Sequence, residues 1–168
     1  TFVYITHSLE EAMVMSDRIA IMKEGHFEQI AVADEIYSAP VSRFVAEFMG
    51  EVNLFGLRAD DAGLITSDIL KIRAGVAVDN LDHGGHGLLM VRPEYVRFAG
   101  GERAFDFTLT GTLHGEYALG SRIQYEIETT GGMVTVEKLR EDRLNASEGE
   151  QVTIGFDSAV THFIREAT

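Results

Sequence analysis

Gly50 separates two kinds of sequence. Upstream of it apolar residues recur at helical spacing. Downstream glycines multiply and short β-rich segments take over, at 52–59, 64–67, 88–92, 105–117, 122–129, 133–139 and 151–156. Strands at such spacing, with turn signals between them, read as a small barrel or sandwich. Asp60-Asp61-Ala62-Gly63 and Thr130-Gly131-Gly132 are hairpin-turn sequences, and Glu148-Gly149-Glu150 is a turn ahead of Val152, Thr153 and Ile154. The sharpest mark is Leu88-Leu89-Met90-Val91-Arg92-Pro93-Glu94. There an apolar strand ends where Pro93 removes a ladder donor and keeps Arg92 out of helical φ/ψ.

The first fifty residues read differently. Phe2, Val3, Tyr4 and Ile5 form an apolar, β-branched and aromatic run that suits a central strand buried on both faces. Ser8 with Glu11 three residues later has capping-box spacing, which starts a helix near Leu9. His7 then lies in a strand-to-helix turn, where open α/β sheets bind ligands. The helix runs to about Ser16 and lays Leu9, Ala12 and Met13 on the sheet. A hairpin follows, with strands near 18–22 and 26–30 around a Lys23-Glu24-Gly25 turn. Phe44, Val45, Phe48 and Met49 then share one face of a helix that Gly50 closes. The domain boundary falls at Gly50, giving domains 1–50 and 51–168.

Composition narrows the partners. The formal charge is −13, with 14 Lys and Arg against 27 Asp and Glu, which repels phosphate backbones and speaks against nucleic acid. The chain has no cysteine, so disulfides and zinc-thiolate sites are excluded, and a reducing compartment fits. No apolar run nears the roughly 20 residues of a bilayer-spanning helix, so a membrane link would run through a partner and the chain itself is expected to be soluble. His83-Gly84-Gly85-His86, with Asp79 and Asp82 beside it, holds residue types a transition metal uses. Its glycines preorganise nothing, so no metal is expected.

The run from Ile5 to Gly25, with Glu28-Gln29-Ile30 and Asp34-Glu35-Ile36-Tyr37-Ser38-Ala39-Pro40, resembles the end of the nucleotide-binding domain of ABC-importer ATPases of the polyamine and maltose type. The Arg92-Pro93-Glu94 strand end, with Gly120 to Ile127 downstream, is similar to the OB-like TOBE regulatory domain that follows it in those importers. The implied fold class is α+β overall: the truncated end of an α/β ATPase domain, then a mostly β OB-like barrel. By resemblance, His7 is the switch histidine that contacts the ATP γ-phosphate, and Arg92 and Glu94 pair either across a regulatory subunit interface or locally at the strand end. Ser8 and Leu9 stand where the family usually has Asp-Gln. Ala31-Val32-Ala33 stands where it usually has a Gly-Thr-Pro helix start, which leaves Asp34 to cap a single turn over 35–38.

The resemblance implies ATP and Mg²⁺ in the full-length parent, permease subunits and a periplasmic solute-binding protein as partners, and a place at the cytoplasmic face of the inner membrane. The solute reading is polyamine. The chain holds no Gly-rich loop with Lys-Ser/Thr, signature loop or Mg²⁺-binding Asp, so it reads as a piece of a longer protein that neither binds nucleotide nor hydrolyses ATP alone. A homodimer is expected, through the barrel or by exchange of the amino-terminal segment. The rival reading is a free-standing OB-like module for a small anion or single-stranded nucleic acid, with Phe105, Phe107, Tyr117 and Tyr125 as stacking surfaces.

Overall fold

The computed structural model describes residues 2–100 and 103–166. These divide into two compact units, one up to Gly50 and one from Glu51.

In the first unit, Ser8 caps helix α1 (Leu9–Met15). Strands β1 (Ile19–Lys23) and β2 (His26–Ala31) form an antiparallel hairpin. Glu24 and Gly25 both take positive φ, at 51° and 83°, the type I′ geometry that matches strand twist. Helices α2 (Ala33–Ser38) and α3 (Arg43–Phe48) follow, with Ser42 capping α3 through the Val45 N–H. Ile19, Ile21, Ala31, Ile36, Val45 and Met49 make the core, and Leu9, Ala12 and Met13 pack on it as their helical spacing requires.

Two expectations are corrected here. Residues 2–5 form no strand and their side chains are exposed. Backbone groups in a strand need a ladder partner, and the sheet of this unit contains β1 and β2 alone among the described residues. Asp34 does not cap α2, which begins one residue earlier, at Ala33, without any side-chain cap. Asp34 and Glu35 lie in the first turn instead, where carboxylates favour the positive end of the helix dipole.

The second unit is almost all β. Its strands are β3 (Asn53–Ala59), β4 (Ile65–Thr66), β5 (Lys71–Ile72), β6 (His86–Val91), β7 (Arg97–Phe98), β8 (Phe107–Leu119), β9 (Arg122–Thr129), β10 (Gly132–Leu139), β11 (Gln151–Phe156) and β12 (Thr161–Arg165). One sheet runs β12-β6-β3-β4. The other runs β10-β9-β8-β11-β7, with β5 also on β8. Inward residues alternate along each strand, as in Ile123, Tyr125 and Ile127 of β9.

Both sheets close on a single core, and Phe156 joins them. Its ring stacks on Phe55 of β3 at 5.5 Å and on Phe107 of β8 at 5.3 Å. This mostly β, OB-like unit matches the barrel expectation. Strands β5, β7 and β12 lie outside the segments read from the sequence.

Candidate functional site

His7 sits in a bend whose two sides are tied together. Thr6 Oγ1 accepts the Ser8 N–H at 3.0 Å and donates to the Glu11 carboxylate at 2.9 Å, which also accepts the Tyr4 hydroxyl at 3.0 Å. Ser8 Oγ accepts the Glu11 N–H at 3.3 Å. Only half of the expected capping box therefore forms, because the Glu11 side chain reaches back to Tyr4 and Thr6 and leaves the Ser8 N–H to Thr6. The outcome is a braced turn that presents an exposed imidazole just ahead of a helix.

Arg92 is 1 % exposed, and its Nη1 donates to Glu51 O at 3.2 Å within its own unit. Pro93 starts the 3₁₀ turn that carries the half-buried Glu94.

Sequence reasoning missed a cleft of about 510 Å³ beside that turn. It lies where the ends of the larger sheet approach each other. Lys138 of β10 crosses this seam and donates to Val96 O at 2.7 Å. Arg97 of β7 donates to Glu94 O and Val96 O on the other bank. Leu144 forms part of the wall, its N–H donating to the buried Tyr125 hydroxyl at 2.9 Å. Burial and the neighbouring Arg97 and Arg103 hold the Lys138 ammonium down at about 8, with Asp142 opposing. Lys138 and Arg97 are 41 residues apart, so no local motif signals the pair.

Other sequence candidates do not assemble. Asp82 pairs with Arg165 at 2.6 Å, and the described residues contain no group of three or more potential metal ligands around His83 and His86. Phe105, Phe107 and Tyr125 are buried in the barrel, leaving Tyr117 of the four proposed stacking aromatics exposed. The stacking surface of the rival reading is thereby lost.

The TOBE domain family matches residues 89–164, a span that includes the cleft and excludes His7. Similarity extends over nearly the whole chain in full-length proteins. It is 35% identical to the Fe(3+) ions import ATP-binding protein FbpC of Rhizobium etli, covering 94% of this chain and 44% of that protein. The spermidine/putrescine import ATP-binding protein PotA of Ruegeria pomeroyi is 30% identical, covering 99% and 46%. The chain is thus similar along nearly its whole length to import ATP-binding proteins, and its residues 89–164 match the TOBE domain. It spans less than half the length of these relatives.

Among solved structures, the molybdate-bound form of the cytoplasmic molybdate-binding protein ModG superposes with a TM-score of 0.52 at 15% identity, covering 68% of this chain and 96% of that one. At that identity the likeness establishes a shared fold and nothing more. No described helix is long and apolar enough to cross a membrane.

Proposed function

We propose that this chain is the carboxyl-terminal part of the ATP-hydrolysing subunit of an ABC importer, with His7 as the switch histidine and the unit from Glu51 as a regulatory and dimerising domain. The observation that carries the proposal is similarity along 94% and 99% of the chain to import ATP-binding proteins. The braced turn around His7 supports it, because an exposed imidazole held ahead of a capped helix can meet a phosphate brought by the rest of the protein.

In this reading ATP is the substrate. No Gly-rich phosphate loop is present in the chain, so the groups that cradle nucleotide and Mg²⁺ belong to other parts of the full protein, and the chain alone does not turn over ATP. What His7 supplies is a polar contact to the γ-phosphate and an orienting partner for the attacking water. The full protein works at the cytoplasmic membrane face with permease subunits and a periplasmic solute-binding protein. The barrel pairs with its own copy across a two-fold axis.

The test is His7→Ala in the full-length protein, expected to abolish ATP turnover while sparing ATP binding. Turnover at the wild-type rate would reject the role. For the solute we propose a polyamine, with ferric iron as the second reading because relatives of both kinds match. Binding measurements on the solute-binding partner encoded with this subunit separate the two, and tight ferric-iron binding without polyamine binding would overturn the first.

A further inference from the structure

The seam cleft gathers four basic side chains, together with the three carboxylates Glu94, Glu137 and Asp142, in a chain that is strongly acidic overall. Arg97, Arg122, Lys138 and Arg143 line it and Arg103 acts on Lys138 from nearby, which is five of the chain's 14 basic residues in a molecule of net charge −13. Three of the five are neutralised by close carboxylates: Arg122 by Glu137 at 3.0 Å, Arg143 by Glu116 at 2.5 Å and Arg103 by Asp157 at 2.7 Å.

Arg97 and Lys138 are arranged differently. Their hydrogen bonds go to the backbone carbonyls of Glu94 and Val96, which orient the two cations without cancelling their charge. Asp142 provides the opposing carboxylate field on Lys138, while Arg97 and Arg103 act against it. Desolvating an ammonium beside like charges is unfavourable, and an anion entering between Arg97 and Lys138 would relieve both effects.

The rest of the lining limits what kind of anion fits. Phe98, Leu139 and Leu144 give the cleft an apolar wall. That wall is fixed from behind, since Phe98 meets the Tyr125 ring edge-on at 5.2 Å and the Tyr125 hydroxyl holds the Leu144 N–H. Apolar walls with a few fixed charged groups are the usual makeup of a small-molecule site, and about 510 Å³ is room for more than a bare inorganic ion.

We propose that this seam is a binding site for a small phosphate monoester with an apolar body, its phosphate held by Arg97 and Lys138 and its body resting on Phe98, Leu139 and Leu144. Arg contributes planar paired donors to the phosphate and Lys a point charge. The site lies wholly within the barrel and does not depend on the ATPase assignment. A ligand there would bridge β7 and β10 and would stiffen the barrel.

Calorimetric titration of the 168-residue chain at neutral pH with phenyl phosphate and, separately, with inorganic phosphate tests this. Phenyl phosphate is expected to saturate with a Kd below about 1 mM, with inorganic phosphate at least about fivefold weaker because the apolar contacts add to affinity. Lys138→Gln and Arg97→Gln should each weaken the ester by about tenfold or more, the loss expected of one charge-assisted contact. Arg97 is exposed, so its replacement leaves folding intact even if that of Lys138 does not. The proposal is overturned by absence of saturable binding to the wild-type chain, by inorganic phosphate binding as tightly as the ester, or by Arg97→Gln binding the ester with wild-type affinity.

Discussion

The side-chain amide of Asn53 pairs with both backbone groups of Thr135: Nδ2 donates to Thr135 O at 2.8 Å, and Oδ1 accepts the Thr135 N–H at 2.8 Å. Asn53 begins β3 in one sheet, and Thr135 lies on β10 at the end of the other. One amide thus substitutes for a ladder neighbour at a sheet end and joins the two sheets across 82 residues.

Asn53→Ala leaves both Thr135 backbone groups without that partner in a half-buried setting, for a loss of about 2 kcal/mol. Asn53→Asp should lose at least as much, because a carboxylate accepts the N–H but opposes the carbonyl oxygen. Urea midpoints of the chain check this, and midpoints unchanged in both variants would remove the amide from the account of sheet joining.

Asp106 forms a second tie. It is 8 % exposed and accepts Arg73 Nε at 3.1 Å, a second Arg73 nitrogen, the Ser158 N–H at 2.8 Å and the Ser158 hydroxyl at 2.7 Å. The Arg73 contact, followed by the two from Ser158, lowers its carboxyl from 3.8 to about 2. A depressed folded value means the unfolded chain takes up the proton first. The stabilisation is therefore complete above about pH 4 and is lost as pH falls through about 2, and it amounts to roughly 2 kcal/mol. Asp106→Asn should lower stability at pH 7 and flatten its decline over that acid window. Denaturant midpoints at a series of pH values check it, and parallel curves for variant and wild type would contradict it.

How much could be read in advance depended on sequence distance. The alternation Ile123, Tyr125, Ile127 is local and marks β9 by itself, and the Ser8 cap sits three residues from its donor. Residues 2–5 carry every compositional mark of a buried strand, yet a ladder partner is a non-local property that their composition does not contain. Strands β5 and β7 have two residues each, too short to show a period. The cleft was invisible for the same reason as the Asn53–Thr135 pair, since closure of the sheet creates it and not any motif. Arg92-Pro93-Glu94 was legible as a strand end, while the inward turn of Arg92 required the position of Glu51.

Tyr125 is buried, and its hydroxyl is the acceptor for the Leu144 N–H. Tyr125→Phe preserves the ring and its edge contact with Phe98 but leaves that amide without its acceptor, at a cost of about 1 kcal/mol. Hydrogen exchange at Leu144 should accelerate relative to the amides of β9. Unchanged exchange there would show that the hydroxyl does not hold the segment.

Gly111 on β8 has no space for a side chain. A Cβ at that position would lie 2.5 Å from Glu128 O and 2.6 Å from Ile127 Cγ2 on the neighbouring strand. The nearest obstacle is backbone held in the β8–β9 pairing, so it cannot move aside as a flexible side chain could. Gly111→Ala should therefore destabilise by about 2 kcal/mol, against an expected gain had the site been open. Thermal unfolding decides the sign.

Arg92 separates local from intermolecular roles. Its guanidinium is buried and donates to Glu51 O, so its contribution should appear in the stability of one chain and not in the association of two. Arg92→Met keeps much of the apolar stem and removes the donors, leaving the Glu51 carbonyl short of a charged partner at a cost of about 2 kcal/mol. The expected result is a lower denaturant midpoint with the same mass by light scattering at each protein concentration. If the midpoint held while association weakened, the guanidinium would be serving a partner copy, and the local assignment would fail.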